Sequence, residues 1–184
     1  MEKIYLFLAD GFEDIEALTP VDFLRRAGLD ISTVSINPTL EVRSSHGVTV
    51  KADCLLADVD TSNATMLIAP GGMPGAQNLY ESPGVCKAFK EQAERGGYIA
   101  AICAAPAVLL SQLGILKGKH ATCYPGFEQK LIEGGAAHVA ERVVTDGKII
   151  TANGPSSAIP FALQLISVIA GEASAQTVAE GILL

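Results

Sequence analysis

The sequence predicts an α/β fold around a mostly parallel sheet. Short runs that are apolar throughout recur along the chain, as strands covered on both faces require, and stretches with helical apolar spacing alternate with them. No linker, low-complexity segment or internal repeat interrupts the alternation, so residues 1–184 are expected to form a single domain.

Each element follows from its local pattern. Residues 4–9 form a continuous apolar run of strand length that ends at Asp10-Gly11. Residues 15–27 place Ile15, Leu18, Val21, Phe23 and Leu24 at helical spacing, with Asp14 as the expected cap and Gly28 as the stop. Residues 31–36 alternate around β-branched side chains and read as a second strand, closed by the turn Asn37-Pro38. A small hairpin around Val48-Thr49-Val50 is expected within 40–60. Residues 66–69 form another buried strand, followed by Pro70-Gly71-Gly72. A helix is predicted over 84–95, a strand over 98–102 and a small-residue helix over 104–113. Beyond them come a strand at 121–123, a short helix at 126–132, a strand pair (142–145 with 149–152) around Asp146-Gly147, and terminal helices at 159–170 and 174–183.

Composition removes several functions. Thirteen Lys and Arg against twenty Asp and Glu leave a formal charge of −7, a poor match for nucleic acid or an anionic membrane. No apolar run approaches the roughly 18 residues of a spanning helix. The opening apolar run is too short for a signal peptide, so a cytoplasmic location is expected. Cys54, Cys86, Cys103 and Cys123 share no C-x-x-C spacing and are then expected as reduced thiols. His46, His120 and His138 lie far apart without pairing to a cysteine, so no metal site is expected.

In parallel sheets, function gathers at the carboxyl ends of strands near a switch in strand order. Three strand ends here are chemically unusual: Asp10 to Glu16, Pro70 to Gly75, and Ile102 to Pro106. None matches a dinucleotide fingerprint or a Walker loop, so no cofactor is expected. Ala101-Ile102-Cys103-Ala104-Ala105 passes straight from strand to helix with small residues on both sides of the thiol, as a nucleophile elbow requires. The following helix N-terminus would favour a thiolate. The alternative is a small buried strand-end cysteine. Gly71 and Gly72 would offer bare N–H groups beside it if strands 66–69 and 98–102 are neighbours, or form an ordinary turn. Glu13, Asp14 and Glu16 crowd the first helix start, where acids usually cap and stay solvated. One of them could instead be desolvated with a raised pKa, and spacing does not choose which.

These strand ends, together with Pro20-Val21-Asp22, Arg25-Arg26-Ala27-Gly28, Gly75-Ala76-Gln77-Asn78-Leu79, and Gly154-Pro155 before Phe161-Ala162-Leu163, resemble the ThiJ/PfpI superfamily. The resemblance is nearest to the branch of the Parkinsonism-associated protein deglycase and its bacterial relatives, and spans nearly the whole chain. It implies a flavodoxin-like (Rossmann-like) three-layer sandwich with a cysteine nucleophile elbow, and a homodimer. It implies Cys103 as an oxidation-sensitive nucleophile, Glu16 as the acid bonded to its sulfur, and the Gly72 and Ala104 amides as an oxyanion pocket. The activity implied is cofactor-free glyoxalase or deglycase chemistry on glyoxal, methylglyoxal or their adducts. A redox-responsive, chaperone-like role is the alternative, and an older label ties some members to thiazole monophosphate in thiamine biosynthesis.

Three positions depart from the family pattern. Tyr124 stands where many relatives carry a histidine near the elbow, and Ala104 where protease-like members place one. Peptide hydrolysis thereby loses its proton shuttle. His46 replaces an arginine that approaches the pocket across the dimer in some relatives. Tyr124, His46 and Gly71 are expected to line the pocket. Cys123 is expected as a buried strand thiol, with disulfide formation under stress as the alternative.

Overall fold

The computed structural model describes residues 3–184; Met1 and Glu2, which open the segment considered for targeting, lie outside the described residues. The chain begins with β1 (Lys3–Leu8), α1 (Asp14–Arg26) and β2 (Asp30–Ser35). The hairpin β3 (Glu41–Arg43) and β4 (Thr49–Lys51) and the two-residue β5 (Cys54–Leu55) follow. Next come β6 (Ala64–Ala69), α2 (Gly75–Glu81), α3 (Pro83–Glu94) and β7 (Tyr98–Ile102). A π-helix (Pro106–Ser111) precedes β8 (His120–Ala121), α4 (Glu128–Glu133) and β9 (Ala137–His138). The chain finishes through β10 (Val143–Asp146), β11 (Ile149–Ala152), α5 (Ala158–Ala170) and α6 (Glu172–Gly181).

Seven strands form the main sheet in the order β10-β11-β7-β6-β1-β2-β5, parallel except for the β10–β11 pair. β1 and β6 pair side by side, although β2 to β5 come between them in sequence. The chain runs outward from β1 through β2, then returns to β1's other side and runs outward again. The order therefore reverses between β1 and β6, and right-handed crossovers put successive helices on opposite faces there. α1 and α5 pack together on one face, while α3 lies against β6 and β7 on the other. The result is the α/β sandwich expected from the strand pattern, in the three-layer, flavodoxin-like form that the family resemblance implies.

The strands read as unbroken apolar runs because both faces are covered. Ile4, Leu6 and Phe7 of β1 and Met66, Leu67 and Ile68 of β6 are all 0% exposed. The hairpin in 40–60 and the strand pair around Asp146-Gly147 also form. Elsewhere the chain corrects the expectation. α2 was not foreseen, because Gly75-Ala76-Gln77-Asn78 after a Pro-Gly-Gly turn has no apolar period. The helix after the elbow runs as a π-helix from Pro106 rather than an α-helix from 104. The strand placed at 121–123 starts one residue earlier and ends two residues earlier, at His120–Ala121, pairing with β9.

Candidate active site

Cys103 follows β7 directly and takes a left-handed backbone, with φ of 66°. For a residue with a Cβ this region costs about 1–2 kcal/mol. The conformation is fastened from both sides: the Cys103 N–H donates to Ala152 O at 2.8 Å, and its carbonyl accepts Tyr124 N–H at 2.8 Å. The turn also needs small neighbours, and Ala101 and Ala105 are both fully buried. Cys103 as a whole is 8% exposed.

β6 and β7 are neighbours in parallel register, so Pro70-Gly71-Gly72 leaves the sheet beside the elbow. A Cβ built on Gly71 would lie 2.5 Å from both Cys103 Cβ and Glu16 Oε2, so the three residues meet at one point. Only glycine leaves room for that meeting. Gly72 has φ of +87°, and a Cβ there would lie 2.4 Å from Gly11 O and 2.5 Å from Glu13 N. The first and second strand ends are thus closed against each other. The Gly72 and Ala104 backbone N–H groups act on the Cys103 sulfur in the sense that favours its ionised form.

The three acids at the start of α1 have separate surroundings. Glu13, not Asp14, is the cap residue: its Oε2 accepts the Glu16 N–H at 2.8 Å. Asp14 is the first residue of the helix and bonds His46 Nδ1 at 2.8 Å. Burial works against ionisation of Asp14, but hydrogen bonds from Ser44 and His46 hold its carboxyl below the usual range. The Asp14 bond in turn raises His46. Glu16 is 0% exposed; its Oε2 accepts Gly71 N–H at 3.0 Å, and its Oε1 has no hydrogen-bond partner among the described residues. Burial pushes the Glu16 carboxyl up to about 7, and the Glu13 charge adds to the effect.

The dipole-stabilised thiolate expected at Cys103 is corrected here. Burial first, then the Glu16 carboxylate, push the thiol up to about 12, and the Gly72 and Ala104 N–H groups only partly offset this. These influences share one proton between two groups. When Glu16 is ionised it repels a thiolate; when protonated it can donate to the sulfur, and the repulsion is gone.

The raised carboxyl pKa has a consequence for stability. Between the ordinary value of 4.5 and about 7, the folded chain holds a proton at Glu16 that the unfolded chain has lost. Stability therefore falls as pH rises through that window, by on the order of 3 kcal/mol. Urea midpoints measured across the window should show this slope, and Glu16→Gln should flatten it and leave the protein more stable at the alkaline end. An identical slope in that variant would assign the effect to other groups.

Of the other expected residues, Tyr124 donates its backbone N–H to Cys103 O and His46 bonds Asp14. Tyr124 is 44% exposed, and a Cβ on Gly154 would lie 3.1 Å from its ring. The His46 side chain is 69% exposed. Although the sequence shows no partner for His46, folding brings its ring and the Glu13 and Asp14 carboxylates within 4.8 Å of one another. These atoms serve the helix cap and the Asp14–His46 bond. All four cysteines are free; Cys123 is buried and pushed up to about 12 by burial and then by Glu128. Cys86 donates to Tyr80 O at 2.9 Å.

Comparison with known proteins identifies the family of the fold. Residues 2–168 match the DJ-1/PfpI family, and the chain belongs to that family. It is 38% identical over 174 residues to Protein DJ-1 homolog B of Arabidopsis thaliana, covering 95% of this chain and 40% of that one. The chain thus spans less than half the length of that relative. It is 34% identical over 168 residues to Glutathione-independent glyoxalase DJR-1.2 of Caenorhabditis elegans, covering 91% of this chain and 88% of that one. A structure of oxidized Toxoplasma gondii DJ-1 superposes with a TM-score of 0.94 at 39% identity, covering 100% of this chain and 98% of that one. Among the described residues, no helix is long and apolar enough to cross a membrane.

Proposed function

We propose that the protein is a cofactor-free glyoxalase of the DJ-1 type, acting on small dicarbonyls such as methylglyoxal and on their adducts. The observation that carries this is the meeting of Cys103 and a fully buried Glu16 at Gly71, with one Glu16 oxygen lacking a hydrogen-bond partner among the described residues. A carboxyl with a pKa near 7 both gives and takes protons at neutral pH, as proton transfer between carbon and oxygen needs. The relative named as a glutathione-independent glyoxalase adds support.

In this reading the Cys103 S–H adds across the aldehyde. An S–C bond forms, the C=O π bond opens, and the proton ends on oxygen as a hemithioacetal. Glu16 then takes the proton from the former aldehyde carbon and returns one to the neighbouring carbon, while the proton on the former aldehyde oxygen passes to the former ketone oxygen, which becomes the hydroxyl. This leaves a thioester of a hydroxy acid. The Gly72 and Ala104 N–H groups stabilise negative charge that develops on oxygen. Water cleaves the S–acyl bond, releasing the hydroxy acid and restoring the thiol. Methylglyoxal plus water becomes lactate, with no external oxidant or reductant. Wild-type protein with methylglyoxal and no glutathione should form lactate at a steady rate; no lactate above the buffer control would overturn the reading.

The same proposal includes a homodimer in the cytoplasm. Ile15, Leu18 and Val48 are large apolar residues left exposed and offer a surface for such an interface. A second reading, a redox sensor, is favoured by the Gly72 and Ala104 N–H groups, which act to favour negative charge on the sulfur and would also hold a sulfinate. Mild peroxide should then add two oxygens at Cys103 ahead of Cys54, Cys86 and Cys123, read by peptide mass; equal oxidation of all four would remove that reading.

A further inference from the structure

Glu13 and Glu16 have the spacing of a capping box, in which two side chains at a helix start exchange bonds with each other's backbone N–H. Here only half of the box forms. Glu13 Oε2 accepts the Glu16 N–H at 2.8 Å, but Glu16 does not return the bond. The Glu13 N–H goes instead to Gly71 O at 3.0 Å, and Glu16 Oε2 takes the Gly71 N–H at 3.0 Å. Three hydrogen bonds therefore link Glu13, Gly71 and Glu16 in a closed ring. In an ordinary box, the Glu16 carboxyl would lie against its own helix end and away from the thiol.

We infer that Glu13 is a positioning residue for the site: it holds the α1 cap alone, leaves the Glu16 carboxyl free to face Cys103, and by its negative charge keeps the shared proton on Glu16. This rests on the reading of Glu16 as the proton carrier. The titratable groups facing Glu16 are few. Cys103 comes from the elbow and Glu13 from the same helix start, and both act on its ionisation. The Pro70-Gly71-Gly72 turn brings none, and α5, which packs against α1, contains no charged residue. Asp14 and His46 stand beside Glu13 as a bonded pair. Among the described residues, Glu13 is the carboxylate that adds its charge to the burial of Glu16.

A cap alone and a charged cap predict different results. Glu13→Gln keeps an oxygen for the Glu16 N–H and removes the charge, whereas Glu13→Asp keeps the charge on a shorter arm. The readout is the infrared band of the protonated Glu16 carboxyl, identified by its loss in Glu16→Gln and followed against pH in the full chain. In Glu13→Gln its midpoint should fall by about one pH unit. In Glu13→Asp the midpoint should stay near the wild-type value even if the melting temperature drops. An unchanged midpoint in Glu13→Gln, or an equal fall in both variants, would overturn the inference. The band needs no turnover: a shifted midpoint in a protein that makes no lactate would leave the positioning role standing and remove the proposed reaction.

Discussion

Cys103→Ser should lower lactate formation from methylglyoxal at least about a thousand-fold, with little change in melting temperature. The exchange keeps a small side chain at the left-handed elbow and alters one atom. Serine's oxygen is a much poorer nucleophile than sulfur, and Glu16 is too weak a base to activate a hydroxyl. A second measurement separates chemistry from collapse of the site: the Glu16 carboxyl band should persist in the variant, since Gly71 and Glu13 still hold that side chain. Full lactate formation by Cys103→Ser would end the thiol mechanism outright.

Gly71→Ala carries the next largest effect, and it acts on fold and site together. The added methyl would fall 2.5 Å from Cys103 Cβ and Glu16 Oε2 and 2.9 Å from Ile102 O. Two of these belong to the site and the third to the backbone of a central strand, so no flexible end can move aside. Destabilisation of about 3 kcal/mol is expected by urea unfolding, with loss of lactate formation even in the fraction that folds. Gly96 is the control. Its φ is +69° with nothing within 4 Å of a new Cβ, so Gly96→Ala pays only for backbone strain, about 1 kcal/mol, and keeps activity. Equal behaviour of the two variants would show that space at Gly71 is not the constraint.

The sheet was largely legible because burial on both faces forces runs such as Ile4 to Leu8 and Met66 to Ala69 to be apolar without interruption. Its limits were legible too, since turns such as Asp146-Gly147 announce themselves. α2 was not, because its Gly-rich start carries no period and its place follows from packing against β1 and the π-helix. The three unusual strand ends were visible as sequence, but their relation was not. Which of Glu13, Asp14 and Glu16 is desolvated depends on a bond to Gly71, 55 residues further on. The protonation of Cys103 does not follow from the local sequence for a related reason. A helix N-terminus can be read from neighbouring residues, whereas burial beside a carboxylate from another element cannot.

The left-handed backbone at Cys103 sets two kinds of fitness against each other. Glycine at this position would relax the main chain at no steric cost, and asparagine would tolerate it better than cysteine does. Laboratory evolution for heat resistance alone should drift toward such residues at 103 and discard the thiol. A library selected first for survival of heating and then for dicarbonyl tolerance would retain cysteine only through the second sieve.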